Sequence, residues 1–333
     1  MPEPPSFFVL PPVRAENGEE ALTKSPQGRI VVLGGTGTGK TTTLKHLISS
    51  RAKDALADTT APIPIFLSLA DLARSGKTLQ SYLIDIVEDI GVERNYADTL
   101  WQEMKRGHAF VALNSLDEVD PTRRAHMIEL VNSRASEPGN IWLVGSRFTE
   151  YKGGQFKHGQ FAEWELLPMS SQLRQDLAAR LFPELRRLLS PLLPNSSSPS
   201  AFVSLLEKHP HAAAWGENPL LLSLAAVVFV RTGGLPPARA TLYRDVIEAV
   251  LAMRVQDTIG RKHLLRALTS LALWLHQTRG RTFTSDDLFT FLEDIQHHSW
   301  EEAENIAKHV ITSEFNLEYL THCCIISNLK HKL

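Results

Sequence analysis

The stretch RIVVLGGTGTGKTTTLKHLI, residues 29–48, restricts what this chain can fold into more than any other part of it. Gly34, Gly39, Lys40 and Thr41 fill the pattern G-x-x-x-x-G-K-[ST] between a short apolar run and a segment of helical period. Glycines let the backbone take positive φ and approach an anion closely, so that several N–H groups converge on one phosphate. The start of the following helix adds its dipole. The candidate cradle is Gly34, Gly35, Thr36, Gly37, Thr38 and Gly39, continuing into Lys40, Thr41 and Thr42. Lys40 would reach the outer phosphates of a nucleotide as a point charge, and the Thr41 hydroxyl would sit on Mg²⁺. A chain of 333 residues meets this pattern by chance about 0.01 times.

Around the loop, apolar runs alternate with helix-period segments. The runs are 29–33, 63–69, 109–113, 141–145 and the alternating 161–167. Between them lie helical segments at 40–51, 79–90, 96–106 and 122–134. Strand and helix repeated in this way predict a parallel sheet covered on both faces. After about Pro168 the pattern becomes helical, with segments at 172–189, 201–209, 219–230, 240–254 and 262–277. SPLLPNSSSPS (190–200) is a linker by composition, and the turn glycines and prolines of TGGLPPAR (232–239) cannot continue a helix. Residues 279–295 suggest a short extended piece and then a helix capped at Ser285. Residues 1–28, rich in Pro, Gly and charge with a small apolar island at 7–10, read as a lead-in or the tail of something upstream, with no stable fold assigned to them.

The chain is 43% hydrophobic and 22% charged, with a net charge of -2, so no global charge favours nucleic acid or an anionic membrane. Its start lacks the basic region and apolar core of a secretion signal, and its longest apolar run, 219–230, is too short to span a bilayer. The two cysteines, Cys323 and Cys324, are adjacent, which suits a reducing compartment. A cytoplasmic protein is expected. Adjacent thiols also lack the C-x-x-C spacing of a tetrahedral zinc site, so His322, Cys323, Cys324 and His331 read as a helix end. Arg and Lys are interleaved with acids from 239 to 333, which makes nucleic acid an improbable partner.

A chain with this loop needs a second strand ending in a carboxylate that holds Mg²⁺ through water, and an acid to activate the attacking water. The run 109–113 leads into Asn114-Ser115-Leu116-Asp117-Glu118. Asn114 can accept from a magnesium-bound water but brings no charge against a hard dication. Asp117 and Glu118 lie three and four residues on, near enough for one to substitute or serve as base. The run 141–145 ends in Ser146 and Arg147, where a guanidinium can sense the γ-phosphate. The expected catalytic set is Glu118, Asp117 and Arg147, and the expected metal set is Thr41, Asn114 and Asp117. Asn218-Pro219 is explained by helix-start chemistry alone.

Together these motifs resemble the NACHT family of STAND (signal-transduction) P-loop NTPases over residues 29–330. GGTGTGKTT is similar to the family's Walker A loop, and FVALNSLDEVD (110–120) to its strand followed by D-G-L-D-E. WLVGSRFTEY resembles its strand followed by T-S-R, and FAEWELLPMS its last strand. ENPLLLSLAAVVF looks like its N-P-L-L-L segment, and RATLYRDVIEAVL like the R-x-x-L-Y helix that opens a winged-helix region. The resemblance implies a three-layer α/β/α P-loop NTPase domain at 29–168, a helical domain at 169–237 and a winged-helix-like domain at 238–333.

It further implies an ATP/ADP switch with Mg²⁺ as cofactor and slow hydrolysis: ADP closes the arms, and exchange for ATP opens them and permits homo- or hetero-oligomers. By motif position Lys40 and Thr41 take phosphate and Mg²⁺, Arg147 is the first sensor, and Pro219 borders the base. The implied setting is intracellular signalling or innate immunity, with a protein trigger or effector and no membrane. The sequence departs from the family pattern in two places. Asn114 stands where the family has its first Asp, and the chain stops before F-x-H-x-x-F-Q-E-Y, so the winged-helix region reads as truncated and its locking His as missing. The alternative expectation is a non-hydrolysing nucleotide-binding scaffold, or a truncated regulator of a fuller NACHT protein.

Overall fold

The computed structural model describes residues 12–15, 18–21, 28–149, 151–156, 160–189 and 198–254, with a few isolated positions from 262 to 273. The chain divides into two compact units, Met1–Leu177 and Ala178–Leu333.

The first unit is built on a seven-stranded sheet. Its chain order begins with β1 (Pro12–Ala15), β2 (Gly18–Ala21) and β3 (Arg29–Leu33), then α1 (Lys40–Ala57) and β4 (Ile63–Ser68). Three helices follow, α2 (Leu69–Ser75), α3 (Leu79–Asp89) and α4 (Arg94–Lys105), before β5 (Ala109–Asn114). Then come α5 (Pro121–Ala135), β6 (Ile141–Ser146) and β7 (Ala162–Leu166). Spatially the strands run β2-β1-β7-β3-β6-β5-β4. The pairs β4/β5, β5/β6, β6/β3 and β3/β7 are all parallel. This is the expected α/β fold with a parallel core of five strands.

Side-chain alternation sorts the apolar runs onto the two faces. Val31, Leu33, Val111, Leu113 and Val144 point to one face, where α2, α3, α4 and α5 pack. Ile30, Val32, Phe110, Ala112 and Leu143 point to the other, against Leu44, Leu47 and Ile48 of α1. All six residues of β5 are buried, as a strand inside a parallel sheet requires.

Two expectations are corrected here. Residues 1–28 contain the hairpin β1/β2, and β1 pairs antiparallel with β7 through Val13↔Leu166 and Arg14↔Glu165. A parallel sheet leaves edge N–H and C=O groups unpaired, and this hairpin covers the Glu165–Leu166 end of β7. The apolar run 63–69 does not end as strand either, because Leu69 opens α2. Ser68 caps that helix by accepting from the Asp71 N–H, and Gly76 ends it at φ 65°.

The second unit begins within α6 (Ser171–Leu189) and continues with α7 (Pro199–Lys208), α8 (Pro219–Thr232) and α9 (Arg239–Arg254). Phe182, Phe202 and Phe229 meet at its centre with ring centroids 5.3 to 6.2 Å apart. Asn218 Oδ1 accepts from the N–H groups of Leu220 and Leu221, and Pro219 occupies the first turn of α8, as the sequence suggested. The extended piece and helix at 279–295, His322, Cys323, Cys324 and His331, and most of the expected winged-helix region lie outside the described residues. Among the described residues no helix is long and apolar enough to cross a membrane.

Candidate functional site

Parallel strands in a covered sheet all deliver their carboxyl ends to one edge, and loops leaving that edge gather there. The loop 34–39 leaves the end of β3, which is paired with the end of β6 through Leu33↔Ser146. Gly34 N–H donates to the Ser146 carbonyl at 3.3 Å, tying the first glycine to the neighbouring strand. A Cβ at Gly34 would lie 2.6 Å from Thr38 Oγ1, so any side chain there would have to displace Thr38 from the loop. Thr36 and Gly37 form the turn, with Gly37 at φ 77°. Thr38 Oγ1 donates to the Gly35 carbonyl at 2.9 Å and braces it.

Gly39, at φ 91°, precedes α1 and offers no side-chain cap. The first N–H groups of an α-helix have no partner within it and favour an anion. Lys40 Nζ donates to the Gly34 and Gly35 carbonyls at 2.7 and 3.0 Å, which folds the cation back over the loop. Thr42 continues the first turn, half-buried, and Thr43 faces the core. The arrangement is a phosphate cradle: a glycine-rich loop turned at positive φ at Gly37 and Gly39, a helix head with no side-chain cap, and a lysine above both.

Opposite the cradle stands the end of β5. Thr41 Oγ1 donates to Asn114 Oδ1 at 3.2 Å, and Asn114 Nδ2 donates to Ser115 Oγ at 3.0 Å. Asn114 is 6% exposed. Ser115 takes φ 62°, the left-handed region, and turns the chain into a single 3₁₀ turn, Leu116–Glu118. That turn buries Asp117 and leaves Glu118 exposed. Asp117 Oδ2 pairs with Arg147 Nε at 2.8 Å, which joins the turn after β5 to the residue after β6. Thr41, Asn114, Asp117 and Arg147 are thus brought together at one sheet edge, and Glu118 faces outward beside them. Pro219 lies in the second unit, half-buried at the head of α8.

Sequence reasoning missed three supporting residues. Arg124 of α5 donates to the carbonyls of Asp117 and Val119 at 3.3 and 2.9 Å and so holds the acidic turn. Its place in a helical run gave no signal. Gly145 is required because a Cβ there would come 2.9 Å from Leu44 Cδ1 and 3.2 Å from Asn114 Oδ1. Ser115 did leave a signal, since it occupies the Gly position of D-G-L-D-E and adopts the conformation glycine favours.

The NACHT domain description matches residues 28–205, more than half of the chain. The chain belongs to the NACHT family. As a NACHT protein it carries a P-loop NTPase fold of the kind that binds nucleotide and, in most members, Mg²⁺. No curated protein matches the chain. Among solved structures it is similar to the Aeropyrum pernix ORC1 protein in complex with DNA, with TM-score 0.39 and 16% identity over 94% of this chain and 88% of that one. Domain III of the Thermotoga maritima replication initiation protein DnaA gives 0.36 and 13% over 70% and 88%. PCH-2 of C. elegans gives 0.36 and 12% over 69% and 63%. At these scores the likenesses bear on neither ligand nor partner.

The residues present fit the phosphates of a nucleotide on their own geometry: the glycine cradle, the uncapped head of α1 and Lys40. They fit Mg²⁺ poorly. The group that meets Thr41 is a neutral amide, and the carboxylate of the adjoining turn is engaged by a guanidinium. A hard dication favours anionic oxygen; the amide brings no charge, and the carboxylate's charge is already balanced by the guanidinium.

Proposed function

We propose that this NACHT chain is an ATP/ADP-binding molecular switch whose nucleotide controls opening and homo- or hetero-oligomerisation in intracellular signalling or defence. The observation that carries the reading is Lys40 suspended over Gly34 and Gly35 at the open head of α1. A bound nucleotide's phosphates replace those two carbonyls as partners of the ammonium and take the N–H groups at the head of the helix. Arg147, beside the cradle at the end of β6, is the group that would distinguish a γ-phosphate from its absence. Pro219 is proposed to border the base, and Glu118 to serve as base for slow hydrolysis. The setting is proposed to be the cytoplasm, with a protein trigger or effector.

The test is size-exclusion chromatography of wild type and Lys40→Ala with ADP or a non-hydrolysable ATP analogue, alongside a fluorescent-nucleotide titration. Nucleotide-dependent mass in the wild type, lost in Lys40→Ala, supports the switch. Equal elution under both nucleotides overturns it.

A second reading, a nucleotide-binding scaffold that does not hydrolyse, is favoured by Asn114 at the end of β5 and by the pairing of Asp117 with Arg147. Phosphate release separates the two. A rate in the wild type that falls in Glu118→Gln marks an enzyme, and equal background rates mark the scaffold.

A further inference from the structure

Resting on the nucleotide-binding reading above, we infer that this chain binds its nucleotide independently of divalent cation. The site that would hold Mg²⁺ in a loop of this kind is the space between the Thr41 hydroxyl and the end of β5. Here that end is a neutral amide in a fixed orientation. Asn114 Nδ2 is committed to Ser115 Oγ at 3.0 Å, which turns Oδ1 toward Thr41, and Oδ1 accepts the Thr41 hydroxyl proton at 3.2 Å. The amide is 6% exposed, and a Cβ at Gly145 would come 3.2 Å from its Oδ1.

The local carboxylates do not replace the missing charge. The Asp117 side chain is 5% exposed and faces Arg147 Nε at 2.8 Å, so its charge is balanced by a cation already in place. Glu118, on the same turn, is exposed. A dication arriving with the phosphates would therefore gain neutral oxygens and little net charge from the protein. It would bind the complex about as tightly as it binds the free nucleotide. Coupling between ligands is reciprocal, so the cation then leaves nucleotide affinity unchanged. The phosphates are held instead by Lys40, by the backbone N–H groups of the loop and by the head of α1.

Fluorescent ADP titrated into the full chain in Mg²⁺ or in EDTA tests this. The expected dissociation constants agree within about threefold. Asn114→Asp restores a carboxylate beside Thr41, so its ADP affinity is expected to be about tenfold or more higher in Mg²⁺ than in EDTA. A wild-type affinity that falls more than about tenfold in EDTA overturns the inference and leaves the nucleotide reading standing. Absence of binding in both conditions sinks the nucleotide reading and the inference with it.

A second measurement does not depend on the variant folding. Free Mn²⁺ is followed by its paramagnetic resonance signal in a Mn²⁺–ADP mixture. Addition of wild-type chain is expected to leave the free fraction at its value with ADP alone, and a further loss of free Mn²⁺ would mean the protein supplies metal ligands.

Discussion

Arg147 Nε stands 2.8 Å from Asp117 Oδ2 and thereby fastens the turn after β5 to the end of β6. The aspartate is 5% exposed and the arginine 29%. Removing the arginine leaves a buried carboxylate without its counter-charge, a loss of up to about 3–5 kcal/mol for a fully buried pair. The partial exposure of Arg147 lets water compensate, so Arg147→Ala is expected to cost about 1–3 kcal/mol in urea unfolding. Arg147→Ala combined with Asp117→Asn should recover part of that loss, because no charge is then stranded. Additive losses would mean the pair is not coupled.

Gly145 is where the core and the site meet. Gly145→Ala drives a methyl against Leu44 of α1 and the Asn114 amide, at 2.9 and 3.2 Å. Overpacking of this kind costs about 1–3 kcal/mol. Nucleotide affinity should fall with it, because both neighbours support the start of α1. Gly153→Ala, with nothing within 4 Å of the added Cβ, is the matched control and should stay within about 0.5 kcal/mol of wild type. A fluorescent-ADP titration and a urea melt of each variant give both quantities.

His108 makes stability depend on pH. Its Nδ1 lies 2.9 Å from Glu103 Oε2 and its Nε2 lies 2.8 Å from the Thr60 carbonyl, so both nitrogens face acceptors. Only the imidazolium can donate to both. The Thr60 carbonyl first, and then Glu103, hold the His108 pKa above its ordinary 6.5. Hydrogen bonds from His108 first, and then Arg106, hold Glu103 below its ordinary 4.5.

Stability from a raised histidine is complete below pH 6.5 and is lost as pH climbs through the folded value. Stability from a depressed carboxyl is complete above 4.5 and is lost as pH falls through its folded value. The clamp is therefore fully formed between these limits. Urea midpoints of wild type and His108→Gln should differ most near pH 6 and converge toward pH 8.5. A gap that stays constant or widens with rising pH would contradict this.

The second unit depends on its aromatic centre. Phe229→Ala removes the ring that touches both Phe182 and Phe202 and should cost about 3–5 kcal/mol. Amide exchange is expected to speed up in α7 and α8, which supply Phe202 and Phe229. Unchanged exchange in both helices would show that the cluster does not hold this unit together.

The sequence by itself determined the local elements. The glycine spacing fixed the cradle, because positive φ and close backbone approach are properties of single residues. Short continuous apolar runs fixed most of the five parallel strands, because burial on both faces leaves that trace, and three-to-four-residue apolar steps fixed most helices, because burial of one face leaves that one. Ser68 followed three residues later by Asp71 carried a start signal for α2, but it lay at the end of an apolar run and was absorbed into the strand.

Only the tertiary structure decided what meets across the chain. It placed the β1/β2 hairpin on the edge of β7, far along the sequence, where unpaired backbone needed a partner. It set Asn114 against Thr41, 73 positions away, and Asp117 against Arg147. The sequence could name Asn114 as a lost charge and Asp117 as a spare carboxylate. Strand order and register, set by burial of whole faces rather than by any one residue, brought Arg147 to that carboxylate.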